Sequence, residues 1–255
     1  MQILIPMGGA GSRFSAAGYD RPKPFIEFYG KTMIENVVGN LGYRNHFTLV
    51  TQRTHYDEYR PVFDRIAKDA MELNVSLLEG ITRGAAESCL TAKDLVNHDL
   101  PLMIANCDQM MDWDEIGFKA WFLDSGLDGV IMTFDSQSPK NSYAEVNDQG
   151  LVTRTAEKQV ISKHATNGIY VWRKAGNFFR AAEEMIEKNL KQNNEFYVCP
   201  TFNLNIEQGH RIGIYKLETG CHWPIGTPED LDVYLTFRRE NQGLLGLDSS
   251  SIQNI

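Results

Sequence analysis

The stretch that most constrains this chain is its first 35 residues, MQILIPMGGAGSRFSAAGYDRPKPFIEFYGKTMIE. Gln2 to Pro6 is a short apolar run and reads as a buried β-strand. It leads straight into Met7-Gly8-Gly9-Ala10-Gly11-Ser12, and Arg13 follows at once. Glycines let a backbone turn sharply and bring its N–H groups close to a ligand. Successive free N–H groups form a concave anion site, and an arginine adds a forked cation suited to phosphate oxygens. In Pro22-Lys23-Pro24 two prolines stiffen the chain around one lysine and leave its ammonium few directions. A strand, a glycine loop, an arginine and a fixed lysine make a site for a polyphosphate. Glycine-rich turns after strands also occur in dinucleotide sites and as plain turns. No Gly-Lys-Ser/Thr closes the loop, so it is not a P-loop. The Rossmann fingerprint lacks its third glycine and has no use for Arg13 or Pro22-Lys23-Pro24.

The rest of the chain alternates strand and helix. Helices are expected at Gly30–Leu41, at Tyr56–Met71 with an interruption at Pro61, and at Gly84–Leu95; strands are expected at His46–Thr51, Val75–Leu78 and Leu102–Cys107. A helix over Trp113–Asp124 and a strand over Gly129–Phe134 follow. Short strands at Tyr143–Val146, Leu151–Thr155 and Ile169–Trp172 then point to an antiparallel addition. Helices over Phe178–Leu190, Thr201–Glu207 and Pro228–Arg239 and a strand over Arg211–Leu217 complete the pattern, before a polar tail from Gln242 to Ile255. This is an α/β chain with a mainly parallel sheet covered by helices. Ligands of such sheets sit beyond the carboxyl ends of the strands, which places the glycine loop and Asp108 on one edge. One domain over 1–241 is expected, with residues 1–135 for a nucleotide and 136–241 for its reaction partner.

A formal charge of −8 offers no nucleic-acid surface, and no Lys/Arg run suggests an anionic membrane. Any anion site must therefore work locally against the overall field. Cys89, Cys107, Cys199 and Cys221 show no paired spacing, so reduced thiols are expected. With no signal-like start and no bilayer-length apolar run, a cytoplasmic location is the expectation. Asp108 closes an apolar run in Ala105-Asn106-Cys107-Asp108-Gln109. A carboxylate there suits Mg²⁺, which takes one or two protein oxygens plus phosphate oxygens and water, although turns and helix caps also use aspartate.

Taken together, Gly8-Gly9-Ala10-Gly11-Ser12-Arg13-Phe14, Pro22-Lys23-Pro24 and Gly30-Lys31-Thr32-Met33-Ile34 resemble the ordered signature of the sugar-nucleotide pyrophosphorylases, a nucleotidyltransferase family. The resemblance implies a Rossmann-like three-layer α/β/α sandwich, the nucleotide-diphospho-sugar transferase fold. It implies that Arg13 and Lys23 are catalytic and that Met7 to Ser12, Glu79, Gly84 and Ala85 hold the nucleotide. Asp108 would bind Mg²⁺, in a segment where Cys107 replaces the family's glycine. Asn106, Glu157, Lys158, Asn167 and Gly168 would face the acceptor, and the glycine of Asn167-Gly168-Ile169-Tyr170 stands one residue early. The second metal aspartate that many members carry is missing from Cys221-His222-Trp223-Pro224-Ile225-Gly226-Thr227, where no carboxylate stands and His222 is a candidate replacement. The implied partners are a nucleoside triphosphate and a phosphorylated small molecule, with a homo-oligomer left open. The implied product is an activated precursor for surface polysaccharide, with release of pyrophosphate. A glycosyltransferase of the same architecture is the alternative, but Asp108-Gln109-Met110 breaks its D-x-D metal motif. A non-catalytic nucleotide-binding regulator is a third reading, motivated by the missing aspartate.

Overall fold

The computed structural model describes residues 1–241; the polar tail expected over 242–255 lies outside the described residues. The first half runs through β1 (Gln2–Pro6), α1 (Ser12–Ala16), β2 (Glu27–Phe28), β3 (Lys31–Thr32), α2 (Met33–Leu41), β4 (His46–Gln52), α3 (Arg53–Glu58), α4 (Arg60–Asp69) and β5 (Glu72–Leu78). Then come α5 (Ala85–Leu90), β6 (Leu102–Ala105), β7 (Gln109–Met111), α6 (Glu115–Asp124) and β8 (Gly129–Asp135). The remainder is β9 (Tyr143–Val146), β10 (Val152–Ala156), β11 (His164–Trp172), α7 (Ala175–Glu187), α8 (Thr201–Glu207), β12 (Ile212–Lys216), β13 (His222–Pro224) and α9 (Pro228–Glu240).

The main sheet has the order β5-β4-β1-β6-β11-β8-β12, with the β9–β10 hairpin joined at the start of β11. β1 lies parallel to β4 and β6, β4 to β5, and β8 to β12, whereas β11 runs antiparallel to both β6 and β8. The expected mainly parallel sheet with an antiparallel addition is what forms. Side chains alternate across it, as a pleated strand requires. Ile3 and Ile5 enter one core with α2, α4, α6 and α9, while Leu4 enters the other with α5, α7 and α8. Burying each large aliphatic or aromatic side chain contributes about 1.5–3 kcal/mol. Two apolar layers therefore fix β1 in the middle and the glycine loop at its carboxyl end.

Several local expectations need correction. The interruption expected at Pro61 is present, dividing α3 from α4 at Tyr59, but the helical stretch starts earlier, at Arg53; Pro61 occupies the first turn of α4, where its missing N–H breaks no helical bond. The helix read from Gly30 begins only at Met33, because Thr32 and Glu35 form a capping box and the preceding residues make the β2–β3 hairpin. The helix read over Gly84–Leu95 stops at Leu90, before a separate 3-10 turn at Lys93–Leu95. That read over Phe178–Leu190 starts three residues earlier, at Ala175, and ends at Glu187.

The ribbon of β7 and β13 is not among the expected elements. It pairs His222 with Met111, Trp223 with Met110 and Pro224 with Gln109. Three-residue strands carry no readable period. They exist here because Trp223 packs on Phe237 of α9, with ring centroids 4.2 Å apart, and donates its indole N–H to Asp112 at 2.9 Å. Arg238 of α9 pairs with the same Asp112.

Candidate active site

The glycine loop leaves β1 held on both sides. Met7 N–H donates to the Val50 carbonyl at 2.8 Å, and the Gly8 carbonyl accepts from Gln52 Nε2 at 2.6 Å. A side chain at position 8 would run into Leu78. Gly11 has φ +60° and heads α1, and a Cβ there would lie 3.2 Å from the Lys23 Cβ. Its glycine therefore serves both a left-handed turn and the close approach of the Pro22-Lys23-Pro24 segment. Phe14 is buried and meets Tyr19 edge-on, which anchors the loop, while Gly9, Ala10, Ser12 and Arg13 are exposed. The Arg13 guanidinium has no hydrogen-bond partner among the described residues, so it stands ready for an anion.

Lys23 Nζ meets Asp108 Oδ2 at 2.6 Å, and the two side chains keep 19% and 18% of their exposure. Burial alone would push the lysine down and the carboxyl up. Their mutual attraction wins, so Lys23 is raised and Asp108 is lowered, with Arg13 adding to the hold on Asp108. Both are charged at neutral pH. The ribbon closes the other side of Asp108: Ile225 N–H donates to its carbonyl at 2.9 Å, and a Cβ on Gly226 would sit 2.6 Å from Oδ2. Glycine at 226 thus keeps a side chain off that oxygen, which the Lys23 ammonium holds from elsewhere. Cys107 is buried and its thiol is pushed up to about 11, chiefly by desolvation. It stays protonated and is a poor metal ligand.

Beyond this site, β11 changes register between Thr166 and Tyr170. Within that irregularity Gly168 takes φ +89°, and its carbonyl accepts from Asn106 N–H at 3.0 Å. A Cβ on Gly168 would collide with the Asn106 side chain and come within 2.9 Å of Gln109 Oε1. Asn167 is buried, with Nδ2 3.1 Å from Met111 Sδ. Glu157 accepts from Ser142, yet burial still raises its carboxyl above the ordinary range. Lys158 has φ +54° and donates to the Tyr197 hydroxyl at 3.0 Å.

The structure therefore brings Gly8 to Arg13, Lys23 and Asp108 into one site, and Asn106, Asn167 and Gly168 into a neighbouring one. Glu79 sits just past β5 and is ion-paired to Arg53 at 2.6 Å. Gly84 has its Cα face against the Phe196 backbone, where a Cβ would lie 2.5 Å from the carbonyl oxygen. Ala85 begins α5 beside it. Sequence reading missed Gln109, Ser142 and Tyr197, and nothing in their spacing distinguishes them. His222 is placed by the ribbon with its ring 4.4 Å from Phe134, and desolvation lowers it to about 4. No group of three or more His, Cys, Asp or Glu side chains forms a metal cluster among the described residues.

A family model described as nucleotidyl transferase matches residues 3–215. The chain belongs to that family. The chain is 28% identical over 182 residues to a mannose-1-phosphate guanyltransferase of Schizosaccharomyces pombe, covering 67% of the chain and 49% of that relative. It spans about half the length of that relative. It is 25% identical over 254 residues to the UTP–glucose-1-phosphate uridylyltransferase AglF of Haloferax volcanii, covering 91% of the chain and 94% of the relative. Among solved structures it resembles a nucleoside-diphosphate-sugar pyrophosphorylase from Vibrio cholerae, with TM-score 0.79, 24% identity and coverage of 92% and 99%. It also resembles the inositol-1-phosphate CTP transferase of T. maritima, with TM-score 0.73, 16% identity and coverage of 95% and 96%. Those likenesses show the fold. No helix among the described residues is long and apolar enough to cross a membrane.

Proposed function

We propose that the chain is a Mg²⁺-dependent nucleotidyltransferase that joins a nucleoside triphosphate to a sugar 1-phosphate or a related small phosphate. Pyrophosphate leaves, and the product is an activated precursor of the kind consumed in building surface polysaccharide. The observation that carries this reading is the charged Lys23–Asp108 pair at 2.6 Å, set against the Gly8–Arg13 loop by the close contact at Gly11.

An acceptor phosphate oxygen forms a bond to the α-phosphorus while the bond from that phosphorus to the bridging oxygen breaks, and the electron pair departs with pyrophosphate. Such transfers depend on alignment and charge neutralisation more than on proton movement. The loop amides and Arg13 hold the β- and γ-phosphates and the leaving pyrophosphate. Lys23 lies where it can exchange Asp108 for the α-phosphate oxygens and keep the approaching anions together. The acceptor is already ionised, so no residue is needed as a general base. Asp108 would fit Mg²⁺ as a single carboxylate ligand: the carboxylate is ionised, Gly226 keeps a Cβ off Oδ2, and Lys23 would release that oxygen as it turns to the phosphates. Bound Mg²⁺ supplies Lewis-acid polarisation of the phosphate oxygens. Glu157, Lys158, Asn167 and Gly168 border the acceptor, with Lys158 steadied by Tyr197 for its phosphate.

The test is pyrophosphate release with each common nucleoside triphosphate, paired with mannose 1-phosphate or glucose 1-phosphate, with and without Mg²⁺. Release that requires one triphosphate, one sugar phosphate and the metal is the expected result. Consumption of a nucleotide sugar with no pyrophosphate formed from any pair would replace this reading with a glycosyltransferase.

A further inference from the structure

Residues 192–199 bridge two parts of the chain that the sheet keeps apart. β5 and β10 are the two ends of one path of hydrogen-bonded strands, β5-β4-β1-β6-β11-β9-β10. The segments that follow β5 and β10 are nevertheless both bonded to this one loop. Towards β5, Phe196 N–H donates to the Arg83 carbonyl at 2.9 Å, and the Phe196 carbonyl accepts from Ala86 N–H at 3.0 Å. Gly84 lies between them, where any Cβ would strike the Phe196 backbone. The buried Phe196 ring has the Arg83 guanidinium and the Lys191 ammonium 5.1 and 5.2 Å from its centroid. Towards β10, Gln192 Oε1 accepts from Glu157 N–H at 2.8 Å, and the Tyr197 hydroxyl accepts from Lys158 Nζ at 3.0 Å. The Cys199 carbonyl accepts from the Thr155 hydroxyl at 3.2 Å.

The bridge is built to be stiff. Gln192 and Glu195 exchange both backbone hydrogen bonds at 3.0 Å, and Asn193 and Asn194 between them have φ +48° and +64°. Two left-handed residues make a tight two-residue hairpin turn, and asparagine tolerates that conformation. Phe196, Val198 and Cys199 supply the packing of this loop in the core. Gln192 and Tyr197 are only half-buried, so packing does not account for their bonds to residues 157 and 158. Phe196 holds one side and Tyr197 the other, and a single planar peptide joins them. A shift at either residue is therefore passed to its neighbour.

We propose that Tyr197 is a positioning residue and that residues 192–199 couple the two substrates. A triphosphate seated on Gly84 and Ala85 fixes Phe196, then Tyr197 and Lys158, and so raises the affinity for the acceptor. The inference rests on the transferase reading, which puts the nucleotide at Gly84 and Ala85 and the acceptor phosphate at Lys158. Linkage makes the effect reciprocal: the acceptor tightens the triphosphate by the same factor. Its sign is informative, because two anions brought side by side repel and would otherwise weaken one another. Tightening arises when the first ligand has already ordered what the second needs. Tyr197 acts through Lys158 and takes no part in the bond exchange.

The experiment is calorimetry of glucose 1-phosphate and mannose 1-phosphate on the intact chain. Each is titrated alone and with the α,β-methylene analogue of each common nucleoside triphosphate and Mg²⁺. In the wild type one analogue tightens one sugar phosphate by about tenfold, within the usual range of coupling between two sites. Tyr197→Phe keeps the ring and removes the hydroxyl. It brings that ratio to near one and leaves the affinity for the analogue alone unchanged, which also reports that the variant is folded. Hydrogen exchange adds a readout that packing alone would not move: the analogue without acceptor slows exchange of the Glu157 amide, which the Gln192 side chain holds. The inference is overturned if no pair tightens in the wild type, including where nothing binds. It is equally overturned if Tyr197→Phe keeps the full ratio, or if a bound analogue leaves the Glu157 amide unchanged. Pyrophosphate release is measured in parallel and judges the transferase reading separately. Release with a ratio near one removes the coupling alone, and coupled binding without release removes the transferase alone.

Discussion

The proposed phosphate side and the proposed acceptor side of this site are built in opposite ways. On the phosphate side, Gly8 to Lys23 come from one short stretch, and backbone geometry does most of the work. Gly11 combines a left-handed turn with close packing on Lys23, and Phe14 fastens the loop to the core. On the acceptor side, Asn106 and Gln109, Glu157 and Lys158, and Asn167 and Gly168 come from three separate segments. Asn106, Gln109 and Gly168 meet because β11 runs antiparallel between β6 and β8 and changes register around Gly168. A site made from one segment tolerates change elsewhere in the sheet. A site made from three depends on register.

The largest effect should fall on the phosphate side. Arg13→Ala and Lys23→Met are each expected to lower kcat by about 10²–10³-fold, the usual loss when one preorganised charge at a transferring phosphate is removed. Pyrophosphate release checks this, and a variant with unchanged kcat would mean that its charge does not face the reacting phosphates. Gly168→Ala should raise the acceptor KM by about tenfold and leave the triphosphate KM alone, since the added methyl strains a positive φ and displaces Asn106. Equal increases in both KM values would show that the two sides are not separable.

The two carboxylates should respond to pH in opposite directions. Asp108 is lowered in the folded chain, so its contribution to stability is present above the ordinary carboxylate value and is lost as pH falls through the folded value. Glu157 is raised by burial, so the folded chain holds its proton more tightly. The stability it contributes is full below the ordinary value and is lost as pH rises through the folded one. Asp108→Asn should therefore be penalised more at neutral than at acid pH. Glu157→Gln should gain on the wild type as pH rises. Thermal melts from acid to neutral pH test both, and two curves of the same slope would contradict the assigned environments. The smallest effect concerns the end of α9. Thr227 accepts from the Asp230 N–H at 3.1 Å, and Thr227→Ala should cost about 1 kcal/mol, or roughly 2–4 °C in Tm, with kinetics largely kept.

Much of this contrast is legible in the amino-acid sequence. Apolar runs that end at glycines or at Asp108 announce β1, β6 and the edge on which they act. The three ordered signatures in the first 34 residues announce the family that the match over 3–215 shows. Helix boundaries are less legible. The start of α2 is decided by the capping hydrogen bonds of Thr32 and Glu35, which periodicity averages away, whereas Pro61 announces its own break.

What the sequence determined by itself is what local chemistry controls: a strand, a left-handed glycine turn, a stiffened lysine and a layered α/β order. What only the tertiary structure decided is which distant residues face one another. Three-residue strands become a ribbon because α9 holds Trp223 and Asp112. That ribbon sets Gly226 against Asp108 and His222 against Phe134. Pairing across 111 residues leaves no period in the chain, because the free energy that selects it comes from burial and hydrogen bonds formed only in the folded state.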